Sequence, residues 1–244
     1  MSNKPSSKSE FKPLYLEVQQ TLTDKIIAGD WKPGEMLPSE FQLADLLGVS
    51  QGTVRKALNG LGESNIVFRR QGVGTFVCEN TLKDVLFHFF HYKSNDGKDR
   101  GLPTAKLIKI ELIQATDEIA HALTLKPESQ VIKITRIRKL AQQACIAEQI
   151  YLPHRYFSDL HTLADLPNSL YHYYQEKYQV TINKASDNIQ AVIATAEDHA
   201  LIGVAAGQPL LQVSRVATAL DGTIVEYRIS RVDSAQLHYL VELN

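Results

Sequence analysis

The chain has 244 residues, 44% of them hydrophobic and 22% charged, with a formal net charge of −1. Composition of this kind belongs to globular proteins, and the length points to two domains rather than one. The densest apolar cluster, VLFHFF at 85–90, is far too short to cross a bilayer as a helix.

The opening MSNKPSSKSEFKP carries lysines with no apolar stretch behind them, so no secretory leader is expected. Cys78 and Cys145 are the only cysteines and fall in no metal or redox spacing. They read as buried small hydrophobes in a protein of the reducing cytoplasm. Charge is unevenly placed. Arg55, Lys56, Arg69 and Arg70 stand against Glu63 alone between residues 50 and 78, a local balance of +3. This is the pattern of a phosphate-facing surface, or else of a solvated basic face.

In chain order, Leu14, Val18, Leu22 and Ile26 recur at helical spacing, and Gly29 supplies the stop. WKPGEMLP is extended and broken by a Pro-Gly turn. Ser39 opens a second helix in a capping box with Gln42, and Phe41, Leu43, Leu46 and Leu47 are its expected apolar contacts. After Gly48, Ser50 is placed to cap a third helix, buried through Val54, Ala57, Leu58 and Leu61. Asn65 suits a left-handed position beyond it. Two short strands, IVFRR and GTFVC, follow, joined through Gln71-Gly72-Val73-Gly74. Helix, helix, short turn, helix and basic hairpin define a winged helix-turn-helix. Its third helix brings Gln51, Gly52, Thr53, Arg55 and Lys56 toward the major groove, and Arg69 and Arg70 can reach phosphates or the minor groove. Gly52 leaves backbone N–H groups in the first turn open to a phosphate.

Residues 80–104 read as a linker with a leading strand. His88 and His91 are three apart, a possible metal pair, but no third ligand is near and packing or surface roles are favoured; no cofactor is expected. Beyond them lies an internal repeat. ALTLKPESQVIKITRI at 122–137 matches ALIGVAAGQPLLQVSRV at 200–216, aligning Arg136 with Arg215, and a second strand follows each copy. This alignment sets Glu148 against Glu226. Two units of short helix and β-hairpin predict an α+β domain built on an antiparallel sheet with pseudosymmetry. Asp221-Gly222 is a strong hairpin turn, whereas the first hairpin lacks glycine. On the strand VIKITRIRKL, Ile132, Ile134, Arg136, Arg138 and Leu140 share a face. Two arginines continuing an apolar face either pair with Glu148 or Glu226 or hold an anion. Ser169 is placed to cap the SLYHYYQEKY helix or to touch a ligand at its N-terminus.

The run PLYLEVQQTL…IIAGDWKPGEMLPSE…LADLLGVSQGTVRKAL…NIVFRRQGVGTFV resembles the DNA-binding domain of the GntR family of bacterial regulators, over about residues 13–78. The resemblance implies operator binding by a dimer, with Ser39, Ser50, Thr53, Arg55, Arg69, Gln71, Gly72, Gly74 and Thr75 at positions that face double-stranded DNA. Where the family often carries Arg, this chain has Gln51 and Phe41, and Gln pairs better with adenine than with guanine. From about 84 to 243, ITRIR, AEQIYLP, DLPNSLYHYYQEKYQV and DGTIVEYRIS resemble the effector-binding (UTRA) domain of HutC-type members, which shares its fold with chorismate lyase. The resemblance places Arg136, Arg138, Glu148, Ser169, Tyr171 and Glu226 at effector-binding positions. The expected organisation is a DNA-binding domain at 10–79, the linker, and an effector domain at 105–244. The expected function is a ligand-responsive regulator, a homodimeric repressor controlled by a small anionic metabolite. Two rivals stand beside it, a lyase-like enzyme and a ligand-blind DNA binder.

Overall fold

The computed structural model describes residues 13–79, 90–97 and 103–241. His88 and most of VLFHFF lie outside the described residues. The chain divides into two compact units, Met1–Cys78 and Glu79–Asn244.

In the first unit, α1 (Leu14–Ile27) packs on α3 (Gln51–Glu63), which also packs on α2 (Glu40–Leu47). Helical periodicity puts Val18, Leu22 and Ile26 of α1 and Val54, Ala57, Leu58 and Leu61 of α3 in the interior. Gly60 leaves room there for the Gln19 side chain: a methyl group on it would lie 1.8 Å from the Gln19 amide nitrogen, which donates to the Ala57 carbonyl at 3.2 Å. The capping box at Ser39 and Gln42 forms, and Gly48 closes α2 with φ +64°. On α2, only Leu43 and Ala44 are buried, while Phe41 is 69% and Leu46 60% exposed. The expected apolar contacts of Phe41 and Leu46 are therefore corrected: two turns of helix have one buried face, and both residues fall outside it.

The wing pairs β1 (Val67–Arg70) with β2 (Gly74–Val77). The 35–37 segment bridges to β2, through Leu37 N–H to the Thr75 carbonyl at 2.8 Å and Val77 N–H to the Glu35 carbonyl at 2.9 Å. Asn65 has φ +53°, as its place after α3 requires.

The second unit is a six-stranded antiparallel sheet with a small ribbon beside it, β3 (Tyr92–Ser94) with β10 (Leu237–Tyr239). Sheet order is β4-β5-β6-β9-β8-β7, from β4 (Thr104–Gln114), β5 (Gln130–Leu140), β6 (Gln143–Pro153), β7 (Ile182–Ile193), β8 (Pro209–Ala219) and β9 (Ile224–Asp233). The repeat is real and longer than the sequence suggested. Strand, helix and hairpin occur twice, as β4, α4 (Asp117–Ala122), β5 and β6, then β7, α6 (Ala196–Ile202), β8 and β9. Thr116 and Thr195 cap the equivalent helices with their side chains. One sheet face carries Ile132, Ile134, Ile150 and Leu152 under α5 (Leu170–Tyr178); the other is covered by α4 and α6. Strand β5 is thus buried on both faces over most of its length.

One alignment within the repeat is corrected by the register. Arg136 stands opposite Glu148, and Arg215 stands opposite Arg228. The bulge after Arg138 recurs after Ala217, and 217 − 138 equals 215 − 136, which is 79. Glu148 therefore corresponds to Arg228, two residues from Glu226. A slip of two keeps the face, so both carboxylates still project from the same side of the sheet.

Candidate DNA surface and anion site

At the start of α3, the Ser50 hydroxyl accepts from the Thr53 N–H at 3.2 Å and pairs with the Thr53 hydroxyl at 2.9 Å. The cap leaves Gln51, Gly52 and Arg55 exposed on the outer side. A side chain at Gly52 would meet only Ser50 Oγ, at 3.8 Å, so nothing inside the described protein requires glycine there. Lys56 lies instead toward α1, with Nζ 4.0 Å from the centre of the Tyr15 ring. Arg70 stacks over Phe76, 4.9 Å from its centroid, while Gln71 and Gly72 form the exposed wing tip and Thr75 lies opposite Arg69. Ser39 is committed to capping α2. Gly74 comes close to Met36, whose sulfur would be 2.9 Å from a methyl group there.

The sequence reading missed Glu40. Its carboxylate accepts from Arg55 Nε at 2.9 Å on one oxygen and from Arg69 Nη2 at 2.8 Å on the other. The only local hint was its place in LPSE, because the partners are 15 and 29 residues away. A groove of about 700 Å³ runs beside this cluster between the 35–42 segment and the wing.

In the second unit, a charged cluster is buried on the α5 side of the sheet. Arg136 Nε donates to Glu148 at 2.5 Å, Arg138 Nε lies 3.3 Å from the same carboxylate, and Arg228 reaches its other side at 3.4 Å. Glu226 is fully buried and accepts four hydrogen bonds: Tyr171 and Tyr174 hydroxyls at 3.0 Å each, and two from Arg228 at 2.9 Å each. Three guanidiniums thus share two carboxylates, a surplus of one positive charge.

Burial alone would push the Glu148 carboxyl up, yet Arg136, Arg138 and Arg228 together hold it well below the usual carboxylate range. Burial, helped by the neighbouring Arg136 and Arg228, pushes Arg138 down to about 10 despite Glu148. Burial and the Glu226 charge raise both tyrosines, which stay neutral donors. Both terminal nitrogens of Arg136 are buried with no hydrogen-bond partner among the described residues, and so is the Ser169 hydroxyl. Ser169 sits at the N-terminus of α5 but makes no side-chain cap, so its expected capping role is corrected. Its neighbour Asn168 accepts from Arg138 through its carbonyl, at 3.4 Å. Of the two readings of the arginine pair, the structure shows the pairing of Arg136 and Arg138 with Glu148; the terminal nitrogens of Arg136 take no part in it.

Arg228 and Tyr174, neither named from the sequence, belong to this charged cluster. Alternation from Glu226 could have found the first, and helical spacing from Tyr171 the second. A separate buried pair, Arg215 with Asp187, is closed by two contacts of 2.6 Å, and Tyr239 donates to the same carboxylate. Cys145 is buried and Cys78 half-buried. His91 packs on Tyr239, with ring centres 5.3 Å apart. No helix among the described residues is long and apolar enough to cross a membrane.

A winged helix with a basic outer face, followed by an antiparallel-sheet domain with a charged interior, defines a ligand-responsive DNA-binding regulator. Comparison agrees. Residues 14–77 match the bacterial regulatory proteins of the gntR family, and residues 99–237 match the UTRA domain. The chain belongs to the GntR family and carries a UTRA domain. The mannosyl-D-glycerate transport/metabolism system repressor MngR of Escherichia coli (strain K12) is 32% identical over 219 residues, 88% of this chain and 90% of that protein. The HTH-type transcriptional repressor NagR of Bacillus subtilis (strain 168) is 29% identical over 216 residues, 88% of each. The crystal structure of PhnF from Mycobacterium smegmatis shares the fold, with a TM-score of 0.56 at 21% identity over 93% of this chain and 99% of that one.

Proposed function

We propose that the chain is a dimeric repressor whose affinity for its operator is set by a small anion held in the Arg136 cluster. The observation that carries this reading is the pair of Arg136 terminal nitrogens, buried and without partners among the described residues. An unsatisfied buried donor costs on the order of 1–3 kcal/mol, more when charged, and an anion accepting from it recovers that cost. Arg136 and Ser169 offer free donors, and Arg138 and Arg228 add positive potential. Tyr171 and Glu226 act here by fixing Arg228, since all four hydrogen bonds to Glu226 come from within the protein. A phosphorylated or carboxylated metabolite fits these donors. Mannosyl-D-glycerate, for which MngR is named, therefore belongs among the probes.

On the DNA side, Gln51, Thr53 and Arg55 meet base edges, and Arg69 and Arg70 neutralise phosphates. Two winged helices in a homodimer would address half-sites about 34 Å apart, one helical turn. Regulation rather than lyase chemistry is favoured because the relatives are repressors.

The test is thermal denaturation of the full chain with a panel of sugar phosphates, phosphonates and sugar acids. At least one should raise Tm, since a ligand that binds only the folded state stabilises it. Arg136→Met should abolish the rise. A rise retained in Arg136→Met, or no rise with any anion, would remove the anionic assignment.

A further inference from the structure

The DNA-reading assignment gives Arg55 and Arg69 separate tasks, one on the recognition helix and one on the wing. In the structure they are not independent. Both converge on Glu40, each taking one oxygen of a single carboxylate. Glu40 is in turn held at the first position of α2, directly after the Ser39 cap, where the helix N-terminus favours negative charge. The two arginine side chains are 60% and 46% exposed, and such surface pairs contribute little to stability. A fold-stabilising role therefore does not account for the arrangement.

We infer that Glu40 is a positioning and specificity residue for DNA recognition, acting through Arg55 and Arg69. The inference rests on the DNA-reading assignment. Two effects follow from one carboxylate. It restricts two long, mobile side chains to a single arrangement before DNA arrives, so less freedom is lost on contact with a matching site. It also places a negative charge between two guanidiniums, opposing any DNA that offers only phosphates. Affinity for random sequence is almost wholly electrostatic, so such a charge weighs most against the wrong DNA.

The experiment uses the full chain, with a site selected from random DNA by the wild type and a scrambled duplex of equal length. Affinities for both are measured across a series of salt concentrations for wild type, Glu40→Gln and Glu40→Asp. Glu40→Gln keeps the shape and one acceptor but loses the charge. Its affinity for the scrambled duplex should rise several-fold at low salt, and the ratio of selected to scrambled affinity should fall by about tenfold. Glu40→Asp keeps the charge but shortens the reach. It should bind scrambled DNA as the wild type does while binding the selected site more weakly. An unchanged ratio in Glu40→Gln would overturn the inference, as would a parallel loss of both affinities together with a lowered Tm. A wild type that fails to discriminate the two duplexes would instead sink the DNA-reading assignment itself.

Discussion

Glu148 shows what a buried charge requires. Its carboxylate is shared by three guanidiniums, and removing it leaves them facing one another in the interior. Glu148→Gln should destabilise the chain by about 3–5 kcal/mol, the cost of breaking a buried ion pair, measured by chemical denaturation. The pH dependence has a definite sign. A carboxyl held below its ordinary pKa of about 4.3 stabilises fully above that value and loses its contribution as pH falls further. Wild-type stability should therefore drop below about pH 4, and Glu148→Gln should lose that part of the acid slope. Two residues at the tip of α3 test the other unit. Gly52→Ala has space within the described protein and raises helix propensity by up to about 1 kcal/mol, so Tm should hold or rise. Operator affinity should nonetheless fall at least about tenfold, because the new methyl group stands where a backbone approach to phosphate is expected. Gln51→Arg should move base preference toward guanine, read by binding-site selection; an unchanged selected site would contradict its role.

Among elements, those with a local cause were legible in the sequence. The buried stripe of α3, its Ser50 cap, the capping box of α2 and the turn at Asn65 each depend on residues within a few positions. What depends on distant partners was not. Glu40 joins elements 15 and 29 residues away, and Glu226 joins tyrosines more than 50 residues away. The repeat was visible as a pattern, yet its second strands were aligned two residues out, because a slip of two preserves the face and so leaves the hydrophobic alternation intact. The hairpin between β5 and β6 turns without glycine, through Ala141 at φ +48° and Gln142 at φ +69°. Side chains pay for left-handed backbone, about 1–2 kcal/mol per residue, and Asn-Gly is the favoured pair for such a turn. Replacing Ala141-Gln142 by Asn-Gly should raise stability by about 1–2 kcal/mol, measured by thermal or urea denaturation, without altering ligand or DNA affinity.

For the whole molecule, the central claim is a linkage between the anion cluster of one unit and DNA reading by the other. A ligand shifts such an equilibrium only by its differential affinity for the two states, and the coupling is reciprocal. The direct measurement is operator affinity of the full chain, by fluorescence anisotropy, with and without an anion already found to raise Tm. A saturating amount should change operator affinity by roughly 5–150-fold, and the operator should change anion affinity by the same factor. Arg136→Met should bind the operator without responding to the anion. If the anion stabilises the protein while operator affinity stays the same, or if Arg136→Met responds as the wild type does, the account is contradicted.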